Sequence, residues 1–191
     1  MDYKGHPRTS SDINHVVAKD IDCKEILPKF RDNHMKLNAL TKNLDRLQRA
    51  TFEASSTFGN HSYHISRPMA RNSELTESLC LLFNGVLAEI DNKPEMDFVT
   101  SFINSTVGDF RTLAIGGTNR DNNKGHWVYQ GPHWWYQGSE NLVSYFDWAV
   151  TQPTQNVNEE CLFLDGSNGF KMDDGMCDGP SIVRVLCEIS E

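Results

Sequence analysis

The sequence predicts an α+β domain behind a helical neck, and three observations carry that expectation. Apolar residues recur at heptad spacing over residues 23–47. Short strand-like runs stand at residues 61–66, 161–164 and 182–186, with helix-like stretches between the first and the others. Four of the five cysteines fall between Cys80 and Cys187.

Length and composition set the outer bounds. A chain of 191 residues fits one domain plus an appendage, and 38% apolar with 10% aromatic residues is the make-up of a globular protein. No apolar run approaches the about 20 residues that span a bilayer, so no membrane span is expected. The start Met1-Asp2-Tyr3-Lys4 lacks the apolar core of a signal peptide, so secretion would require a leader trimmed or replaced. A net charge of −8 argues against a nucleic-acid surface, which needs a basic face.

Residues 1–22 mix Ser, Asp, His and Lys without periodicity and read as a flexible tail. The neck follows over residues 23–54. Cys23, Phe30, Leu37 and Leu44 occupy one seam position, and Ile26, Asn33, Leu40 and Leu47 the other. Pro28 lacks an amide donor and disfavours helix in the residue before it, so the helix is expected to start there and run to about Ala54. So short an apolar stripe is marginal alone and needs a partner face. Another copy of the chain would supply one, with Asn33 setting the register and Cys23 available for an interchain bridge. The alternative is a helix folded back on its own domain.

The globular domain is expected over residues 58–191. His61-Ser62-Tyr63-His64-Ile65-Ser66 alternates as a first strand. Asn72 or Ser73 can cap a helix through about Phe83, with Glu74 and Glu77 near its positive end, Gly85 past its stop, and Leu75, Leu79 and Leu82 as its buried face. Pro94 starts another helix, with Glu95 and Asp97 in the first turn and Met96, Val99 and Ile103 inward. Cys161-Leu162-Phe163-Leu164 and Ile182-Val183-Arg184-Val185-Leu186 read as closing strands. Asn60-His61-Ser62 and Asn104-Ser105-Thr106 are glycosylation sequons. With the cysteines they favour an oxidising, secretory compartment over a reduced protein with five buried thiols.

The chemistry concentrates between Gln152 and Cys177. Calcium takes about six to eight oxygen ligands, several of them carboxylates. Gln152, Thr154, Glu159, Asp173 and Asp174 could supply the oxygens if their two segments met, and a bridge between Cys161 and Cys177 would bring them together. No His-Glu-x-x-His, Cys-x-x-Cys, EF-hand, P-loop or nucleophile-elbow spacing is present, and no nucleophile with a base stands out, so a binding protein is expected rather than an enzyme.

Several stretches taken together resemble the C-type lectin-like domain. Gln152-Pro153-Thr154 is similar to the family's Glu-Pro-Asn or Gln-Pro-Asp, Glu159 stands two residues before Cys161, and Met172-Asp173-Asp174 stands where the family has Trp-Asn-Asp before the next cysteine. Cys80, Gly85, Leu87-Ala88-Glu89-Ile90, Glu95, Leu113-Ala114-Ile115-Gly116 and Gly125-His126-Trp127-Val128-Tyr129 follow the family's markers in order, so the resemblance covers residues 58–190. It implies two helices, antiparallel sheets and a long loop region. It also implies disulfides Cys80–Cys187 and Cys161–Cys177, leaving Cys23 unpaired within the chain, and a cis Pro153. Met172 in place of Trp implies weaker packing beneath the loop.

The function so implied is a secreted lectin that binds glycans through Ca2+ held by Gln152, Thr154, Glu159, Asp173 and Asp174. Gln before the proline resembles the galactose-type arrangement more than the mannose type. Sugar contacts would come from Gln152, Thr154, Glu159 and Asp173. Trp134 and Trp135, in the aromatic run Pro132-His133-Trp134-Trp135-Tyr136, either face the ligand or fill the core. A homo-oligomer built on the neck would multiply weak single sites. Thr154, Asp173 and Met172 depart from the family pattern and support an alternative, a lectin-like domain that binds a protein or mineral surface without calcium-dependent sugar recognition.

Overall fold

The computed structural model describes residues 23–106, 111–119, 138–139, 141–154 and 156–190. The 1–22 tail, the Gly125–Tyr129 marker (residues 125–129), Trp134 and Trp135 lie outside the described residues. The chain divides into two units within its first helix, between Leu44 and Asp45.

That helix, α1, spans Cys23–Thr51 and contains Pro28. It starts one turn earlier than Pro28 suggests, because a missing amide near a helix N-terminus costs only one bond. Ile26, Phe30, Leu37, Leu40, Leu44 and Leu47 are all exposed. Thr51 ends the helix, short of the expected Ala54, and β1 (Phe52–Phe58) follows at once. The sequence reading missed this strand. Its alternating burial is anchored by Phe52, edge-on to Phe83 at 4.9 Å, and by Phe58, stacked on Phe98 at 5.1 Å. Gly59, at φ +60°, makes the turn into β2 (His61–Ser66).

The remaining elements are β3 (Met69–Ala70), α2 (Ser73–Leu82), β4 (Val86–Leu87), α3 (Lys93–Thr106), β5 (Thr112–Thr118), β6 (Cys161–Asp165), β7 (Lys171–Gly175) and β8 (Ile182–Ser190). The sheet runs in the order β1-β2-β8-β5-β6-β7, with β3 and β4 also pairing β8. Among the described residues, every pairing between these strands is antiparallel except β5 with β8. Gly116 on β5 is required by close approach, since a Cβ there would sit 2.5 Å from the Leu87 carbonyl oxygen.

Asn72 caps α2 by accepting from the Leu75 amide at 2.9 Å, as expected. The buried face differs from the expectation. Thr76 and Cys80 point inward, Leu79 is partly buried, and Leu75 and Leu82 are exposed. Positions 76, 80 and 83 have the same helical spacing as 75, 79 and 82, and the Cys80–Cys187 disulfide selects the former. Helix α3 buries Met96, Val99 and Ile103 as expected, together with Phe102. Its Glu95 is also buried, accepting from the Tyr63 hydroxyl at 2.5 Å and the Asp91 amide at 3.0 Å. The main core joins Tyr63 and Ile65 from β2, Ile103 from α3, Leu113 from β5, Leu164 from β6 and Leu186 from β8.

Candidate functional site

Strands β6 and β7 form the platform of the site. Leu162 pairs with Asp174, Phe163 with Asp173, and Leu164 with Met172. Successive side chains on a strand point to opposite faces. Met172 and Asp174 therefore share the face of Leu162 and Leu164, and Asp173 shares that of Phe163. Just beyond β7, Cys177 is bridged to Cys161 with their Cα atoms 5.1 Å apart. Both implied disulfides, Cys161–Cys177 and Cys80–Cys187, are present.

The segment preceding β6 covers the outer edge of β7. The Met172 amide donates to the Asp147 carbonyl at 2.8 Å, and the Ala149 amide donates to the Met172 carbonyl at 2.8 Å. Lys171 pairs with Asp147 at 2.5 Å on the surface. Met172 itself is fully buried in the main core, and its sulfur accepts from the Asp147 amide at 3.4 Å. An unbranched thioether adapts to the space available, so Met172 fills the place beneath the loop.

From this edge the chain turns through Thr151, at φ +76°, and the cis Gln152–Pro153 bond. Thr154 is brought onto the platform. Its amide donates to Asp174 Oδ1 at 2.9 Å, and its hydroxyl lies within hydrogen-bond reach of both Glu159 Oε2 and Asp174 Oδ2. Thr154, Glu159 and Asp174 therefore meet. Gln152 lies two residues away across the cis bond, and its Oε1 is buried without a hydrogen-bond partner among the described residues. Asp173 Oδ1 is buried and unpartnered in the same way.

The electrostatics of Asp173 follow from that position. Burial raises its pKa first, and the like charges of Asp165, Asp174 and Glu159 add to the effect, whereas Arg71 opposes them. Arg71 lies 4.6 Å over the ring of Phe163, the cross-strand partner of Asp173. Sequence reasoning missed Arg71, which stands 102 positions before Asp173 and carries no local motif.

The five side chains offer only oxygen, the donor that a hard divalent cation prefers, and two of those oxygens are buried acceptors lacking donors. In this donor chemistry the residues fit Ca2+. Among the described residues, however, no three acid, histidine or cysteine side chains are gathered into a metal-binding group. Thr154 donates its amide to Asp174 and its hydroxyl to Glu159.

The architecture is the C-type lectin-like fold, with a helix ahead of it. No family model matches the chain. A galactose-specific lectin, nattectin from Thalassophryne nattereri, is 29% identical over 101 residues, covering 53% of this chain; the match spans 58% of that protein's length. The mouse scavenger receptor C-type lectin carbohydrate-recognition domain superposes with a TM-score of 0.55 at 22% identity, over 72% of this chain and 95% of that one. A calcium-independent type II antifreeze protein superposes with a TM-score of 0.55 at 18% identity, over 71% and 91%.

Proposed function

We propose that the protein is a secreted, calcium-dependent, sugar-binding lectin whose site is formed by Gln152, Thr154, Glu159, Asp173 and Asp174. The observation that carries this reading is the pair of buried oxygens without donors among the described residues, Gln152 Oε1 and Asp173 Oδ1, in the same two segments as Thr154, Glu159 and Asp174, which hydrogen bonds bring together. Unpartnered acceptors of this kind are costly and fit a cation. When bound, Ca2+ would supply positive charge among these oxygens and open positions for sugar hydroxyls. Glu159 and Asp174 contribute the anionic oxygens, Gln152 an amide oxygen, and Thr154 its hydroxyl oxygen, provided that the hydroxyl proton turns away from the acids. Arg71 limits the repulsion on Asp173.

Galactose-type glycans are the favoured ligands. Gln152 before Pro153 resembles the galactose-type arrangement, and nattectin is by name galactose-specific. Trp134 and Trp135 are proposed as contacts for the sugar's C–H face. The two disulfides and the exposed sequon residues Asn60 and Asn104 suit an extracellular protein. The exposed heptad seam of α1 supports self-association through the neck, with Cys23 available for an interchain bridge.

A second reading has its own observation. The Thr154 amide and hydroxyl already satisfy Glu159 and Asp174, as a cation-independent site would require, and one structural neighbour is a calcium-independent antifreeze protein. Calcium calorimetry followed by galactose and mannose competition separates the two. A saturable calcium heat and galactose-competed binding are expected; no heat, with ligand binding retained, would establish the second reading.

A further inference from the structure

Arg71 stands just ahead of α2, and its backbone is held by the segment that follows β7. Its amide donates to the Ser181 carbonyl at 2.9 Å, and the Gly179 amide donates to its own carbonyl at 3.2 Å. The side chain lies over one face of the β6–β7 pair. Its guanidinium carbon is 4.6 Å from the centre of the Phe163 ring, and Nη1 is 3.8 Å from the point where a Cβ on Gly175 would stand. Phe163 is the cross-strand partner of Asp173, and Gly175 is the next residue of β7 on that face. Cross-strand partners stand about 5 Å apart and alternate residues of a strand about 7 Å apart, so the Arg71 charge sits within about 10 Å of the Asp173 carboxylate.

The charge is not neutralised where it lies. Nη1 reaches the Met176 carbonyl at 3.4 Å, and Nε is buried with no hydrogen-bond partner among the described residues. Asp173 Oδ1 is the acidic counterpart, buried and equally unpartnered. Burial disfavours the charged form of both groups, and each charge offsets that cost on the other.

We propose that Arg71 is a resident cation that competes with Ca2+ for the field of Asp173 and so sets the affinity of the site, an inference that rests on the calcium reading above. Without metal, the guanidinium compensates Asp173 across the Phe163 ring. A divalent ion placed among the same oxygens is repelled by it, twice as strongly as a unit charge would be. Partial burial reduces the screening of that repulsion by salt. Arg71 thereby stabilises the empty platform and lowers its affinity for calcium. A packing role alone predicts the opposite sign, because loosening the contact over Phe163 would disturb the platform and weaken the site.

Calorimetry of the full chain with calcium chloride tests this, together with thermal unfolding in chelator and in saturating calcium. Arg71→Met keeps an unbranched side chain over Phe163 and removes the charge. It is expected to bind Ca2+ about tenfold more tightly, to melt below the native protein in chelator, and to show a larger calcium-induced rise in melting temperature. Arg71→Gln, which retains a donor for the Met176 carbonyl, is expected to shift affinity in the same direction. Arg71→Lys keeps the charge and is expected to stay within about twofold of the native affinity. Calcium binding that is unchanged or weakened in both neutral variants would overturn the inference while leaving the calcium site in place. Heat from the neutral variants and none from the native chain would support Arg71 as the competing cation and remove calcium dependence from the native protein; no heat from any form would overturn both readings.

Discussion

Asp174 is where the platform and the prolyl loop meet, so Asp174→Asn is the sharpest single change. It keeps the size and the acceptor for the Thr154 amide but removes a full charge from the proposed calcium site. Calcium affinity by calorimetry is expected to fall at least about tenfold with thermal unfolding little changed, because ligand charge count sets affinity in such sites. Met172→Ala leaves a cavity in the main core and is expected to cost about 2–5 kcal/mol in denaturant unfolding. Glu188 gives a pH test. Burial raises its pKa, against the Glu89 amide that hydrogen-bonds it at 2.9 Å. A raised folded-state pKa means that ionisation opposes folding: the contribution is most favourable below the unfolded carboxylate range and is lost as pH rises through the folded pKa. Glu188→Gln keeps an acceptor for Glu89 and is expected to raise the melting temperature at mildly alkaline pH, the gain disappearing in acid. At this scale the sequence offered candidate ligands whose types and spacing are local, such as Glu159 before Cys161. It could not resolve which face of β7 each acid takes, nor the Thr154 hydrogen bonds, since both depend on pairing with β6 and on the turn at Pro153.

Helices and strands were legible where one periodic signal dominated. Helix α3 and strands β2, β6 and β8 fall close to their expected places because their apolar positions admit one face or one period. Helix α2 carries two interleaved triads of the same spacing, and only the long-range bond from Cys80 to Cys187 decides between them. Strand β1 is serine-rich and follows a helix without a break, so neither propensity nor a turn announces it. The disulfides permit an element-scale comparison. Their sequence separations are 16 for Cys161–Cys177 and 107 for Cys80–Cys187. In the chain-entropy account these correspond to about 3 and about 4.7 kcal/mol. Replacing Cys80 and Cys187 by serine should therefore destabilise the domain more in guanidinium unfolding, whereas replacing Cys161 and Cys177 should weaken ligand binding more, because that bridge closes the platform of the site.

At the scale of the whole molecule, the exposed heptad seam and the proposed sugar-binding head would divide the labour: the neck would set the number of heads and each head would contribute a weak site. Leu37→Asp with Leu40→Asp is expected to reduce the sedimenting mass to that of one chain, and unchanged mass would remove the neck from the account. Fold class and disulfide framework were readable from ordered markers spread along the chain, whereas the parallel pairing of β5 with β8 was not, since it joins strands far apart in sequence. The most direct test of the central claim is glycan-array binding of the full chain with calcium and with a chelator. The account predicts galactose-type binding that the chelator abolishes and restored calcium recovers; binding that persists in the chelator would contradict it.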